Sequence, residues 1–227
     1  MKMSLKSLAA AITHPVLFFR DRTSLLLTKV RGSGKNRFIC KDAAVKKCDI
    51  LFRGMDNSIE LNGCDLFNSR IFLRGKGHRL VIERDVKLYN VYIKIIGQGN
   101  TVIIGEETTL GGGNIICGGS GIPIRIGEAC VIAEGVDIWA TDTHSIYQEG
   151  ILTNEPAPII IGNHVWLGKD VAILKGTSIG DGAVIGMRSL VTRDIPAATL
   201  STGSPARVIR ENVSWSIDNP DNAKDEG

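Results

Sequence analysis

The sequence has few of the features that mark membrane, secreted or nucleic-acid-binding proteins. Its formal net charge is only +3 in 227 residues, so no strong field favours a nucleic-acid partner or a basic membrane anchor. No apolar run approaches the roughly eighteen residues of a membrane-spanning helix. The lysine-bearing start contains a short apolar run, residues 8–12, without a cleavage site after it, which is not typical of a signal peptide. We therefore expect no membrane segment and no nucleic-acid partner.

Cysteine and histidine are also scarce. The five cysteines include no CxxC pair, which favours reduced thiols in the cytoplasm over a disulfide framework or a zinc site. The four histidines are His14, His78, His144 and His164, and no two lie closer than 20 residues. Since metal-binding histidines are usually closely spaced in at least one pair, we expect no metal.

A repeat of six residues dominates the second half of the chain. Aliphatic residues recur at this step at Ile161, Leu167, Ile173, Ile179, Ile185 and Val191. The residue after each is mostly glycine, and the residue four places on is mostly small or β-branched. Such a period is typical of short strands with one inward aliphatic side chain each, three of which form a triangular coil. Stacked coils would bury the aliphatic ladders and pair each strand with those above and below.

A longer period of 21 or 22 residues precedes the repeat of six. Similar segments begin at Gly54, Gly75, Gly97 and Gly119. Because 22 is three sixes plus four, we expect these coils to carry a four-residue excursion at one corner. An antiparallel sandwich would instead show strands at irregular spacings of about 8–12 residues. The spacing therefore predicts an all-β, parallel β-helix, whose handedness it leaves open because most parallel crossovers are right-handed.

The ends of the chain depart from the repeat. Residues 1–35 contain two apolar patches, 3–12 and 17–30, whose pattern predicts a short, partly helical extension. The β-helix is predicted for residues 36–211. Residues 212–227 are predicted to form a polar tail.

One internal segment, residues 140–158, also interrupts the repeat. It has no in-phase aliphatic residue and two prolines, which predicts a loop that leaves the coil, and loops on rigid scaffolds often carry chemistry. In this loop His144 has polar neighbours, and an imidazole is a suitable general base near neutral pH. If the segment is extended, Asp142 projects to the same face and could orient the ring. His164 falls at a corner between aliphatic positions and is expected to be exposed or interfacial.

The order of the motifs resembles that of the hexapeptide-repeat acetyltransferases. These motifs are IGEACVIAEGVDIWATDTHS, then VWLG at 165–168, VTRDIP at 191–196 and G-x-P-A-R at 203–207. Within that superfamily the chain is most similar to galactoside, maltose and streptogramin acetyltransferases and to O-acetyltransferases of bacterial surface polysaccharides. The resemblance covers residues 104–211. It implies a left-handed parallel β-helix and a homotrimer that binds acetyl-CoA in a groove between adjacent subunits.

The resemblance also implies roles for the matching positions. His144 would be the general base. The cofactor positions would be Trp166 and Gly168 along the pantetheine, Lys169 where a small residue is usual, Gly186 and Met187 in place of a Gly-Ala pair, Thr192 and Arg193 near the nucleotide, and Arg207 and Arg210 at the phosphates. Asn114 is the nearest match to the acceptor-binding asparagine of sugar-specific members.

These features predict an acetyl-CoA-dependent O-acetyltransferase that acts on a sugar hydroxyl of a surface polysaccharide or its precursor. His144 would take the hydroxyl proton during direct attack on the thioester. An N-acetyltransferase acting on an amino sugar or sugar nucleotide is the alternative. A non-catalytic β-helical scaffold would need no polar loop with an intact histidine, and a γ-type carbonic anhydrase would need three histidines around zinc.

Overall fold

The computed structural model describes residues 16–21, 24–32 and 35–218, with side chains described for 25–32 and 35–218. Within these ranges all regular structure is β, and no helix is long and apolar enough to cross a membrane. In chain order the first fourteen strands are β1 (Val16–Asp21), β2 (Ser24–Leu26), β3 (Lys29–Gly32), β4 (Asn36–Lys41), β5 (Ala44–Lys46), β6 (Asp49–Met55), β7 (Ser58–Asn62), β8 (Asp65–Phe67), β9 (Arg70–Lys76), β10 (Arg79–Ile82), β11 (Lys87–Tyr89), β12 (Val91–Gln98), β13 (Thr101–Ile104) and β14 (Thr109–Leu110). The other fourteen are β15 (Gly113–Ser120), β16 (Pro123–Ile126), β17 (Val131–Ile132), β18 (Val136–Trp139), β19 (Tyr147–Gln148), β20 (Ile151–Leu152), β21 (Ile159–Ile161), β22 (Trp166–Leu167), β23 (Ala172–Leu174), β24 (Thr177–Ile179), β25 (Val184–Ile185), β26 (Leu190–Val191), β27 (Thr199–Gly203) and β28 (Ala206–Glu211).

The strands form three long sheets that the chain visits in rotation. The first sheet has the order β1-β4-β7-β10-β13-β16-β21-β24, the second β2-β5-β8-β11-β14-β17-β22-β25-β27-β28, and the third β26-β23-β18-β15-β12-β9-β6-β3. Pairing within the sheets is parallel, except that β28 turns back on β27, and a separate antiparallel hairpin joins β19 and β20. After each full turn the chain comes back to the same sheet and adds one strand next to the previous one. The chain therefore forms a triangular solenoid. The predicted parallel β-helix is confirmed.

The predicted register of the six-residue repeat is also confirmed. All six aliphatic positions are at most 2% exposed. Ile161 pairs with Ile126 below and Ile179 above it in the first sheet, so like residues stack along the axis. Each buried isoleucine or leucine contributes roughly 1.5–3 kcal/mol of transfer free energy. The ladders are therefore the main support of the coil.

The 22-residue coils differ from the shorter ones in their third strand and in the corner that follows it. β12 has eight residues, whereas β23, at the same place in a later coil, has three. The predicted glycine alignment is confirmed, since Gly97 pairs with both Gly75 and Gly119. Gly97 has a φ of +108°, and a Cβ there would collide with the carbonyl oxygen of Gly119. Only glycine fits the corner, both for its φ and for the close approach of the next coil.

A buried polar ladder fills this corner and was not predicted. Its members are Asn36, Asn57, His78 and Asn100, all at most 1% exposed. Asn57 accepts a hydrogen bond from the His78 N–H at 2.9 Å, and His78 Nδ1 accepts one from the Asn100 N–H at 3.2 Å. His78 Nε2 therefore carries the proton and donates to the Arg74 carbonyl at 3.1 Å. Burial lowers the pKa of His78, and the ladder satisfies backbone groups that the bulged corner leaves without strand partners.

The prediction of helix for residues 17–30 is wrong. This segment contributes to β1, β2 and β3, which pair in parallel with β4, β5 and β6. A whole coil of in-register pairing outweighs the local apolar pattern, because strand preference depends strongly on context. The other predicted helical patch, residues 3–12, lies outside the described residues.

The described part of the predicted tail folds back onto the coil. After the β27–β28 hairpin, the Val213 N–H donates to the Ala198 carbonyl at 2.9 Å. Trp215 then reaches His164. Residues 219–227 lie outside the described residues.

Candidate functional site

The loop predicted at 140–158 leaves the solenoid after β18 and rejoins it at β21. It therefore stands at the corner between the third and first sheets. Its short hairpin, β19 and β20, exposes four large apolar side chains. These are Ile146 (57% exposed), Tyr147 (64%), Ile151 (68%) and Leu152 (37%).

His144 lies at the head of this loop with its side chain exposed. Its Nδ1 is 3.0 Å from the Thr143 hydroxyl, and its carbonyl accepts a hydrogen bond from Asn154 Nδ2 at 2.8 Å. With the proton on Nδ1, the ring donates to Thr143 and leaves the Nε2 lone pair available. The geometry thus fits a base that acts through Nε2.

The expected contact between Asp142 and the His144 ring is not formed. Among the described residues, the Asp142 carboxylate accepts hydrogen bonds from Lys175 Nζ and from Asn154 Nδ2, the latter at 2.8 Å. The segment is not extended as we had supposed, because Thr143 has a φ of +62° and this turns the two side chains apart. The hydrogen bond from Lys175 lowers the pKa of Asp142.

Asn154 and Lys175 were not predicted, although they hold the loop together. Asn154 Oδ1 accepts from the Ile146 N–H at 2.6 Å, so one amide side chain from the second half of the loop binds the backbone of the first half at two places. Lys175 Nζ also donates to the Asn154 carbonyl at 3.0 Å. These contacts join the loop to the next coil and hold the backbone of His144 in place. They connect segments distant in sequence, so no local spacing indicated them.

A groove with a cavity volume of about 640 Å³ lies on the outer face of the second sheet. Six of the nine predicted cofactor residues line it: Trp166, Gly168, Lys169, Gly186, Met187 and Arg210. Trp166 is 43% exposed, as expected of an outward side chain. Gly168 is required where it lines the groove, since a Cβ there would lie only 2.7 Å from the Met187 nitrogen. The structure thus brings together most of the residues assigned to one ligand.

The groove is long enough for an extended ligand. Ala133 at one end follows β17 and Arg210 at the other lies on β28, with β22, β25 and β27 between them. Strands in a sheet are about 4.8 Å apart, so the groove spans roughly 19 Å. Lys169 stands at its edge in an exposed ion pair with Glu134, at 3.2 Å.

The remaining predicted residues lie away from the groove. Thr192 and Arg193 are exposed at the corner after β26. The exposed Arg207 donates from its Nη1 to the Ala206 carbonyl at 2.8 Å. Asn114 is on the outer face of the third sheet and donates to Asp137 at 2.7 Å. Of these, Arg207 alone belongs to the second sheet, since Asn114 is on β15 and Thr192 and Arg193 follow β26, both strands of the third sheet.

His144 and the groove lie on different sides of a single chain. The corner between the third and first sheets is opposite the second sheet in a triangular coil, and the groove is on the outer face of that second sheet. One copy therefore does not place its own imidazole over its own groove. Within the described ranges, no three His, Cys, Asp or Glu side chains cluster as a metal site would require.

Comparison with known proteins agrees with this fold. The family profile for bacterial transferase hexapeptide repeats (six repeats) matches residues 158–193. The crystal structure of the polySia-specific acetyltransferase NeuO superposes with a TM-score of 0.77 and 31% identity, over 88% of this chain and 92% of that one. The polysialic acid O-acetyltransferase OatWY superposes with a TM-score of 0.72 and 28% identity, over 92% of each chain. A galactoside O-acetyltransferase of Escherichia coli is 56% identical over 54 residues, which is 24% of this chain and 27% of that protein.

The chain belongs to the hexapeptide-repeat acetyltransferase family, and its solenoid is the left-handed parallel β-helix of that family. The matches to curated relatives are shorter than the structural ones. The aligned part of the chain spans about a quarter to a third of the length of the first curated relatives it matches.

Proposed function

We propose that the protein transfers an acetyl group from acetyl-CoA to a hydroxyl group of a sugar polymer. The observation that carries this proposal is the groove on the second sheet, which gathers six residues that the sequence resemblance assigns to one cofactor. Its length of roughly 19 Å suits an extended pantetheine arm. A pocket lined mainly by apolar side chains with a few polar groups is typical of a cofactor site.

The cofactor would lie along the groove with its phosphates toward Arg210. A guanidinium group donates two parallel hydrogen bonds to a phosphate, which makes arginine suitable there. The thioester would then lie near Trp166, at the other end. Arg207 is exposed on β28 and would contact the nucleotide outside the groove. Thr192 and Arg193 lie at the corner between the third and first sheets, as His144 does, and would reach a nucleotide only in the groove of a neighbouring copy.

The active site would be completed by a second copy of the chain in a homotrimer. A single copy has its imidazole and its groove on different sides of the coil, so a neighbour must supply one of them. The exposed apolar side chains of the β19–β20 hairpin support this arrangement, because contiguous apolar surface commonly marks an interface. They lie beside His144 and would bring that residue to the neighbour's groove.

In the reaction, His144 Nε2 would accept the proton of the attacking hydroxyl. The hydroxyl oxygen forms a bond to the thioester carbon, the carbon–sulfur bond breaks, and the CoA thiolate takes the proton from the imidazolium. Asp142 would serve as a positioning residue, through Asn154 and the loop backbone. The cysteines are poor candidates for an acyl-enzyme, since all five are buried and burial raises the pKa of Cys117 to about 12, whereas a nucleophilic cysteine needs a lowered pKa.

We favour an acidic polysaccharide as the acceptor. The two structural relatives are named for polysialic acid, a polymer of carboxylated sugars. Residues 16–98 of this chain contain 17 Lys and Arg against 8 Asp and Glu, whereas residues 99–227 contain 8 against 16. The basic N-terminal coils would attract a polyanion toward the enzyme. The five cysteines of the chain are buried, which fits reduced thiols in a cytoplasmic location.

The test is release of CoA from acetyl-CoA in the presence of purified protein and one acceptor at a time. We expect turnover with polysialic acid, weaker or no turnover with a neutral polysaccharide, and an alkali-labile acetyl ester in the product. Turnover only with an amino sugar or its nucleotide, giving an alkali-stable amide, would replace this proposal by N-acetylation. Absence of CoA binding would leave the scaffold alternative.

A further inference from the structure

The segment after the last hairpin forms one wall of the groove. We call residues 212–216 the strap. Its Val213, Ser214 and Trp215 line the cavity, although the sequence analysis assigned them to a polar tail. The strap begins beside β28 and ends at the corner between the first and second sheets, where His164 lies. It therefore runs along the side of the groove opposite Lys169 and Met187.

Trp215 is the most firmly held residue of the strap. Its indole stacks on the His164 ring with centroids 4.1 Å apart and planes 4° from parallel. The indole Nε1 donates to the His164 carbonyl at 2.9 Å, and His164 Nε2 donates to the Trp215 carbonyl at 3.1 Å. The corner itself is fixed, because the His164 N–H donates to the Glu128 carbonyl at 2.7 Å. The indole is thus set in place before any ligand arrives, and such preorganisation favours binding.

The indole lies near the end of the groove away from Arg210. His164 comes just before β22, and three strand steps separate β22 from β28, which carries Arg210. Trp215 also faces Trp166, with ring centroids 6.0 Å apart and planes inclined by 44°. One indole face is covered by His164, and Trp215 also lines the cavity.

We propose that Trp215 is a cofactor-binding residue that packs against the pantetheine arm of acyl-CoA on the thioester side. The inference rests on the proposed function, which places the phosphates at Arg210. The pantetheine arm is a chain of methylene groups and amides without charge, and an indole offers it a large apolar surface at little conformational cost. His164 is a positioning residue, since it orients the indole and does not line the cavity.

The experiment compares two ligands by calorimetry, CoA and the phosphate-free pantetheine. In Trp215→Ala we expect the dissociation constants for both ligands to rise by the same factor, about tenfold, as for the loss of a central aromatic contact. In Arg210→Ala only the constant for CoA should rise. In His164→Ala the dissociation constants for both ligands should also rise, but by a smaller factor than in Trp215→Ala, because the indole remains and loses only the ring that orients it.

Ile217→Ala is the matched control, since Ile217 directly follows the strap, is 79% exposed and does not line the groove. Thermal melting should be alike for all these variants, because the coil core does not include Trp215. Wild-type affinity of Trp215→Ala for both ligands would overturn the inference, as would a loss confined to CoA. If the wild-type protein bound neither ligand, the proposed function would fail and this inference with it.

Discussion

The backbone N–H of Asn100 donates to Nδ1 of His78, 3.2 Å away in the buried corner of the coil. This bond requires a neutral ring, and burial lowers the pKa of His78. Below about pH 6.5, the usual pKa of histidine, His78 is protonated in the unfolded chain but stays neutral in the folded chain. The stabilising contribution of neutral His78 is therefore complete above that pH and is lost as the pH falls toward the folded-state pKa.

We expect His78→Asn to remove this pH dependence while keeping the fold, because asparagine already occupies three other positions of the ladder. Urea unfolding at pH 7.5 and 5.5 should show a smaller difference between the two conditions in the variant than in the wild type. His78→Leu should lose about 1–3 kcal/mol at both pH values, since it leaves the Asn100 N–H unpaired. An unchanged difference between the two pH values in His78→Asn would show that other groups cause it.

The aliphatic ladder gives a prediction on stability. Ile173→Asp or Ile179→Asp should unfold the C-terminal coils, because each introduces a charge without a partner into a fully packed stack. Leu174→Asp is the control, since Leu174 is next to Ile173 but 37% exposed. Circular dichroism should show loss of the cooperative melting transition in the first two variants and a small change of melting temperature in the third. Equal melting temperatures for Ile173→Asp and wild type would contradict the register.

The parts of this fold that could be predicted from the sequence are those marked by a residue pattern that repeats at short spacing. The inward positions of the ladder recur every six residues, so the coil and its register followed from spacing alone. The ladder at His78 had a signal too, since Asn57 and Asn100 lie one coil away on either side, but a polar residue in phase does not by itself indicate burial. Trp215 and Asn154 act through contacts with distant segments, and no local pattern marks them.

The proposed trimer can be tested at the β19–β20 hairpin of the loop that carries His144. Tyr147→Asp and Ile151→Asp place charges on side chains that are 64% and 68% exposed in one copy. We expect light scattering to show a wild-type trimer and smaller species in the variants, with acetyl transfer reduced in proportion. Ile217→Asp is the control outside the hairpin. A wild-type monomer at micromolar concentration that retains full activity would exclude a site shared between subunits.

The phosphate end of the groove is tested by Arg207 and Arg210. Replacing either by alanine removes charge-assisted hydrogen bonds worth roughly 1.5–3 kcal/mol, so affinity for CoA should fall by one to two orders of magnitude. Affinity for pantetheine should not change. Arg193→Ala, at an exposed position farther from the groove, should have a smaller effect. Equal losses for CoA and pantetheine would mean that these arginines do not contact phosphate.

The base is tested by His144→Ala. Proton removal is needed only on the way to the transition state, so turnover should fall by about two to four orders of magnitude while acetyl-CoA affinity and melting temperature stay near wild type. Mass spectrometry after rapid quench should show no acetylated enzyme, because direct attack needs no protein nucleophile. Full activity in His144→Ala would remove it from the mechanism, and an acetyl adduct on a cysteine would exclude direct transfer.

Asp142 should behave differently from a residue that touches the imidazole. Its carboxylate is bound to Lys175 and Asn154, and its lowered pKa keeps it ionised throughout the neutral range. Asp142→Asn and Lys175→Met should therefore reduce turnover by similar, smaller factors than His144→Ala, since each loosens the same loop anchor. The apparent ionisation seen in the pH–rate profile should stay at its wild-type position in both variants. A marked downward shift in Asp142→Asn alone would show that the carboxylate acts directly on the imidazole during turnover.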